Sequence, residues 1–253
     1  MSHEHSHGCP ADVAAEFTAE FWDDRYGSAG QIWSGQPNPQ LLAQAAGLTP
    51  GEALDVGCGE GADAIWLAAQ GWTVTAVDIS AVALDRAAAH AAARGREIAG
   101  RISWRQADLM TWDPAGRQFD LVSAQFVYLP EAELWALHRR LAAAVRPGGT
   151  LLIVLHHPDS MHAGHDHQTS SDGAAGQAAP AVTAAAGSGN GLASTATGQA
   201  LLALAAEPQR LAAALDPGAF DVLVADVISR EATGRDGQPT TAVDTVLRAV
   251  RRS

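Results

Sequence analysis

Little in this sequence favours a membrane, an oxidising compartment or a polyanionic partner. No apolar run in the 253 residues approaches the roughly 20 needed to cross a bilayer. The only two cysteines, Cys9 and Cys58, make no disulfide framework, which points to a reducing compartment. Basic charge is scarce: 16 Lys and Arg against 28 Asp and Glu give a formal net charge of -12. That excess opposes phosphate backbones, so no nucleic-acid partner is expected. The one basic cluster, Arg248, Arg251 and Arg252, reads as a solvated end. The start, Met1-Ser2-His3-Glu4-His5, has neither the basic nor the apolar region of a leader peptide, and a cytoplasmic protein is expected. Hydrophobic residues at 47% and charged residues at 17% suit a globular chain with a sizeable core.

What is present gathers in one loop. Asp55-Val56-Gly57-Cys58-Gly59-Glu60-Gly61 joins an apolar run to a helix-like stretch. A strand that turns sharply into a helix with its backbone against a ligand needs residues without Cβ. A nicotinamide-binding loop spaces its glycines G-x-G-x-x-G and receives a pyrophosphate. Here the spacing is G-x-G-x-G, and Asp55 and Glu60 would meet that pyrophosphate as like charges. S-adenosyl-L-methionine, with a sulfonium, an ammonium and no phosphate, suits an acidic loop. Asp78 closes the next apolar run, Val74-Thr75-Ala76-Val77, placed to accept ribose hydroxyls.

Strand-like and helix-like segments alternate from about residue 38 to 155, the pattern of a parallel sheet covered by helices. Strands are expected at 53–56, 73–77, 102–106, 119–124 and 150–155. Helices are expected at 13–25, at 39–46 capped by Asn38, at 60–70, at 81–94 capped by Ser80, and at 131–145. Pro147-Gly148-Gly149 should stop the last of these. A helix at 200–215 and strands at 220–229 and 242–250 follow, the two strands antiparallel neighbours. The expected organisation is a His-rich tail and lid helix (1–36), a core that binds S-adenosylmethionine (37–155), a His-rich then Ala/Gly/Ser-rich flexible insertion (156–199), and a helix and hairpin that complete the same domain (200–253).

The acidic glycine loop, Asp78 after the second strand, Asp108 after the third and the closing hairpin together resemble the class I S-adenosylmethionine-dependent methyltransferases over about residues 35 to 250. The resemblance implies an α/β, Rossmann-like seven-stranded sheet in the order 3-2-1-4-5-7-6, strand 7 antiparallel, with helices on both faces. It implies that Gly57, Cys58, Gly59 and Gly61 cradle the methionine part of the cofactor, anchored by Asp55. Asp78 would hold the ribose and Ile79 would pack on the adenine. Asp108 would accept from the adenine amino group, with the Leu109 amide at a ring nitrogen. Ser123-Ala124-Gln125-Phe126 matches the segment beside the sulfonium, which brings in Gln125, and Arg146-Pro147-Gly148-Gly149 matches the turn before the fifth strand. Phe21-Trp22-Asp23-Asp24-Arg25-Tyr26 and Trp33-Ser34-Gly35 resemble the small-molecule branch that includes thiopurine and tellurite-resistance methyltransferases. There an N-terminal segment closes over the cofactor. Trp33 is then a pocket wall and Tyr26 a lid contact, or both simply staple a helix to the domain.

Histidines cluster after the fifth strand: His156 and His157, then His162, His165 and His167. With the nearby aspartates they suit a divalent metal. His156 or His157 can equally serve as a general base, with an ordinary pKa near ~6.5, or belong to a solvated loop. His3, His5, His7 and Cys9 form a second group. Methyl transfer rests mainly on alignment and on excluding water. The sequence shows no fixed acid-base pair, so the expected acceptor is a small molecule with a soft or activated nucleophile; catalytic candidates are His156, Tyr26 and Trp33. Two other readings compete: a histidine-rich metal-binding or sensing protein on a methyltransferase fold, and a nicotinamide-dependent oxidoreductase. The residues specify no oligomeric state.

Overall fold

The computed structural model describes residues 17–28, 30, 32–114, 116–157, 207–233 and 238–253. The strands are β1 (Glu52–Val56), β2 (Thr73–Asp78), β3 (Ile102–Gln106), β4 (Phe119–Gln125), β5 (Val145–His156), β6 (Phe220–Thr233) and β7 (Pro239–Arg251). They form one sheet in the order β3-β2-β1-β4-β5-β7-β6. The first five strands are parallel, and β7 runs antiparallel to both neighbours. This is the order and orientation that the resemblance implies.

The helices are α1 (Ala19–Ser28), α2 (Pro39–Ala45), α3 (Ala62–Ala69), α4 (Ala81–Arg94), α5 (Arg96–Ala99), α6 (Glu131–Ala144) and α7 (Pro208–Ala213). A strand buried on both faces reads as an unbroken apolar run, its side chains alternating between two cores. Leu54, Val56 and Val122 face one core with Leu134, Leu137 and Leu141 of α6. Ala53, Val74 and Ala76 face the other, with Leu41 of α2 and Ala64 and Leu67 of α3. Caps start the helices where their chemistry predicts: Asn38 accepts from the Gln40 amide at 2.8 Å and Ser80 from the Ala83 amide at 3.0 Å.

Several boundaries differ from expectation. Helix α6 ends at Ala144 and β5 begins at once, so Pro147-Gly148-Gly149 is an irregularity inside the strand rather than a turn before it. The reason lies across the sheet: the Arg146 guanidinium reaches both carboxylate oxygens of Asp120 on β4 at 2.7 Å. At its other end β5 runs through His156, which therefore belongs to the sheet and not to the segment after it. Strands β6 and β7 are longer than apolar character suggested, because they pair from Phe220↔Arg251 to Thr233↔Pro239. The first described helix is Ala19–Ser28; residues 1–16, 158–199 and 200–206, with the tail and insertion expected there, lie outside the described residues. Among the described residues no helix is long and apolar enough to cross a membrane.

Candidate active site

The loop after β1 is held by its own amides. Gly57 and Cys58 donate to the Val77 carbonyl at 2.8 and 3.1 Å, Gly61 to the Cys58 carbonyl at 2.9 Å, and Gly59 to Asp78 Oδ2 at 2.8 Å. The expected backbone cradle is thus one of shape, with these four N–H groups already satisfied. At Gly57, φ is +70° and an added Cβ would stand 2.6 Å from Val127 Cγ2. At Gly61, φ is +84° and a Cβ would stand 2.7 Å from Trp104 and 2.8 Å from Ala87, so this glycine serves the packing of α3 on α4 and β3.

Three carboxylates meet beneath the loop: Asp55 of β1, Asp78 of β2 and Asp63 in the first turn of α3. Burial, then the charges of Asp63 and Asp78, holds the Asp55 carboxyl well above the usual range. Burial pushes Asp63 up to about 6 and raises Asp78 as well. Asp78 accepts from the Gly59 and Ser80 amides, one on each oxygen. Asp63 accepts from the Asn38 amide at 2.6 Å, while Asp55 Oδ2 is buried without a hydrogen-bond partner among the described residues. Asp63 was not legible as a site residue, since an acid in a first helical turn is ordinary.

Glu60 needs a correction. It precedes α3, and its Oε2 accepts from the Ile32 and Trp33 amides at 3.1 Å each while Oε1 pairs with Arg86 at 3.1 Å. Its charge therefore anchors the N-terminal segment and is not offered to a ligand. Arg86 also donates to the carbonyls of Tyr26 and Gly30. The Trp33 indole N–H donates to the Tyr26 hydroxyl at 2.7 Å, and these two groups stand 3.1 and 3.0 Å from where a Gly59 Cβ would be. Asp23 docks α1 on the start of α4, accepting from the Ser80 hydroxyl at 2.6 Å and the Val82 amide at 3.1 Å. Tyr26 and Trp33 thus both staple α1 and cover the loop.

Beside this lid a cavity of about 760 Å³ opens at the tips of β2 and β3, lined by Phe17, Ile79, Gln106, Asp108 and Met110 among others. Ile79 and Asp108 both line it. Asp108 is exposed and turns its own loop by accepting from the Met110 amide at 2.9 Å. Leu109 is buried in the core, and its carbonyl takes the Arg140 guanidinium at 2.7 Å. Gln125, at the end of β4, donates to Ser123 Oγ at 2.8 Å and has a buried carbonyl oxygen without a partner among the described residues.

At the tip of β5, His156 is directly opposite Asp244 of β7, with Nδ1 3.6 Å from Oδ1. Its ring stacks on Phe126 at 4.0 Å, and its Nε2 is buried without a partner among the described residues. Asp244 was not anticipated; its signal is only an acid in an apolar strand. His157 donates its amide to the Val243 carbonyl at 2.9 Å. Among the described residues no three His, Cys, Asp or Glu side chains could hold a metal ion; His162, His165, His167 and the group at His3 to Cys9 lie outside them.

Residues 53–149 match the family model described as a methyltransferase domain. The chain is 35% identical over 159 residues to the ubiquinone biosynthesis O-methyltransferase of Caulobacter sp. (strain K31), covering 57% of this chain and 62% of that protein, less than two thirds of its length. It is 28% identical over 166 residues to the probable thiol methyltransferase 2 of Arabidopsis thaliana, covering 62% of this chain and 71% of the relative. The N-methyltransferase NodS of Bradyrhizobium japonicum WM9, solved with S-adenosyl-L-homocysteine, superposes with a TM-score of 0.58 at 17% identity over 94% of this chain and 100% of its own. Residues 53–149 thus resemble methyltransferase domains, and the chain has the seven-stranded fold found in S-adenosylmethionine-dependent methyltransferases.

Proposed function

We propose that this protein transfers the methyl group of S-adenosyl-L-methionine to a small molecule. The observation that carries the reading is the crowded set of buried carboxylates, Asp55, Asp63 and Asp78, with Asp55 Oδ2 lacking a partner among the described residues. Like charges confined this way favour a bound cation, and an unpartnered buried acceptor favours a ligand donor. The ammonium of the cofactor is both. A pyrophosphate would find the loop's four donors already engaged and the carboxylates repulsive, which argues against a nicotinamide dinucleotide.

These residues fit the cofactor. Asp55 and Asp63 take its amino-acid end beside Gly57, Cys58, Gly59 and Gly61; Asp78 takes the ribose; Ile79 and Asp108 flank the adenine, with the Leu109 backbone amide at a ring nitrogen; Gln125 lies beside the sulfonium. When bound, it supplies an electrophilic methyl carbon on a good leaving group. The chain's own work is alignment and exclusion of water, for which α1, Tyr26 and Trp33 form the cover over Gly59. One relative is named for methylation on oxygen and the other for methylation of thiols, and both support a small acceptor. The charge of -12 and the cysteine usage support a cytoplasmic enzyme without nucleic-acid partners.

Calorimetric titration of the full chain tests this. S-adenosylmethionine and S-adenosylhomocysteine should each bind at one site per chain, NAD should not, and D55N should weaken the first at least about tenfold, as expected for losing one charge-assisted hydrogen bond. Binding of NAD with neither adenosyl compound retained would refute the proposal.

A further inference from the structure

We propose that His156 is a general base for the acceptor, positioned by Asp244, and that the acceptor therefore arrives as a hydroxyl compound. This rests on the methyl-transfer reading above and adds to it the class of nucleophile. The sequence alone showed no acid-base pair, because its two members lie on different strands and meet only through the register His156↔Asp244 between β5 and β7.

Asp244 is fully buried, with Oδ1 3.6 Å from His156 Nδ1 and Oδ2 2.6 Å from Arg230 Nε. Burial alone would raise its carboxyl, but the neighbouring His156 imidazole and the Arg230 guanidinium hold it below its ordinary range, so it stays an anion. An anion facing Nδ1 places the ring proton there and leaves the lone pair on Nε2. That nitrogen is buried and has no partner among the described residues. A native fold tolerates such an atom where a ligand supplies the donor, and a hydroxyl is one.

The surroundings hold the ring in place. The backbone amide of His156 donates to Tyr128 Oη at 3.0 Å. The Phe126 ring lies parallel on the imidazole at 4.0 Å, on a backbone whose φ of 56° is unusual for an aromatic residue. Such strain collects at functional sites. Between Phe126 and Tyr128 stands Val127, whose methyl touches Gly57, so the segment holding the imidazole packs directly on the cofactor loop. His156 also ends its strand on the side where open parallel sheets bind ligands. Among the described residues, the charged and titratable groups that face the His156–Asp244 pair are Arg230 from β6 and the Tyr128 phenol, with the Gln40 amide reaching Asp244 from α2.

A thiolate needs no base at neutral pH, and a hydroxyl does. The acceptor O–H bond breaks with its proton passing to His156 Nε2. The oxygen lone pair forms the bond to the transferred methyl carbon, and the carbon–sulfur pair remains on sulfur. The imidazolium then returns its proton to water, so the net products are the methyl ether, S-adenosylhomocysteine and one proton.

Two measurements on the full chain test this. In the ¹⁵N spectrum of the imidazole with S-adenosylhomocysteine bound, neutral His156 should carry its proton on Nδ1, and D244N should shift proton density to Nε2. With 2-naphthol and 2-naphthalenethiol as probes, H156Q should lower kcat on the naphthol about 100- to 10,000-fold. The deficit should shrink as pH rises and the naphthol ionises unaided, while the thiol is methylated at the parent rate. A proton on Nε2 in the parent protein overturns the proposal, as does equal loss on both probes or methylation of the thiol alone. If neither probe is methylated, the position of the ring proton decides. Failure to bind S-adenosylhomocysteine at all would instead overturn the methyl-transfer reading.

Discussion

At Gly57 the chain has no room for one more carbon. An alanine there meets Val127 Cγ2 at 2.6 Å on a backbone at φ +70°. Steric overlap and left-handed strain each count for about 1–3 kcal/mol. G57A should therefore lower the urea midpoint, and V127A placed in the same chain should recover the steric part while leaving the backbone part. A double variant no more stable than G57A would show that the contact with Val127 is not what excludes the methyl. The need for glycine is visible in the sequence because φ is a local property. What crowds it is not: Val127 comes from the loop after β4.

Helix α1 is held to the domain by few groups, and Arg86 of α4 is the busiest of them. It pairs with Glu60 and donates to the carbonyls of Tyr26 and Gly30. R86A removes these ties and leaves the buried Glu60 without its cation. We expect faster hydrogen exchange in peptides covering 17–33, unchanged exchange in β1, β2 and β4, and weaker cofactor binding. Uniformly faster exchange would instead make Arg86 a residue of global stability. An apolar period can announce that an N-terminal helix exists, but not where it docks. Docking depends on Asp23, Glu60 and Arg86, whose types alone read as surface charge.

Across the whole molecule, the buried carboxylates oppose folding at neutral pH. Asp63 titrates near 3.8 when unfolded and at about 6 when folded. Between those values the folded state binds more protons than the unfolded one, so this group's contribution falls as pH rises through the window and stays unfavourable above it. D63N should accordingly raise the melting temperature of the ligand-free protein at pH 7.5 and change it little at pH 4. Buried His138, lowered to about 4, acts with the opposite sign, losing stability as pH falls from its ordinary value, but it is common to parent and variant. Equal shifts at both pH values would remove Asp63 from this account. The parent should also gain more thermal stability from S-adenosylmethionine at pH 7.5 than at pH 5, where the cation finds fewer charges.

By itself the sequence determined the alternation of strands and helices, the caps at Asn38 and Ser80, and the glycine loop with acids at successive strand tips. Each of these follows from backbone stereochemistry or from periodicity within a few residues. Only the tertiary structure decided which acids are tied to a cation and which crowd one another. It tied Glu60 to Arg86, set Asp63 beside Asp55, and brought Asp244 to His156 through the register of β5 and β7. Partners distant in the chain are chosen by how the sheet closes, and no local pattern records that choice.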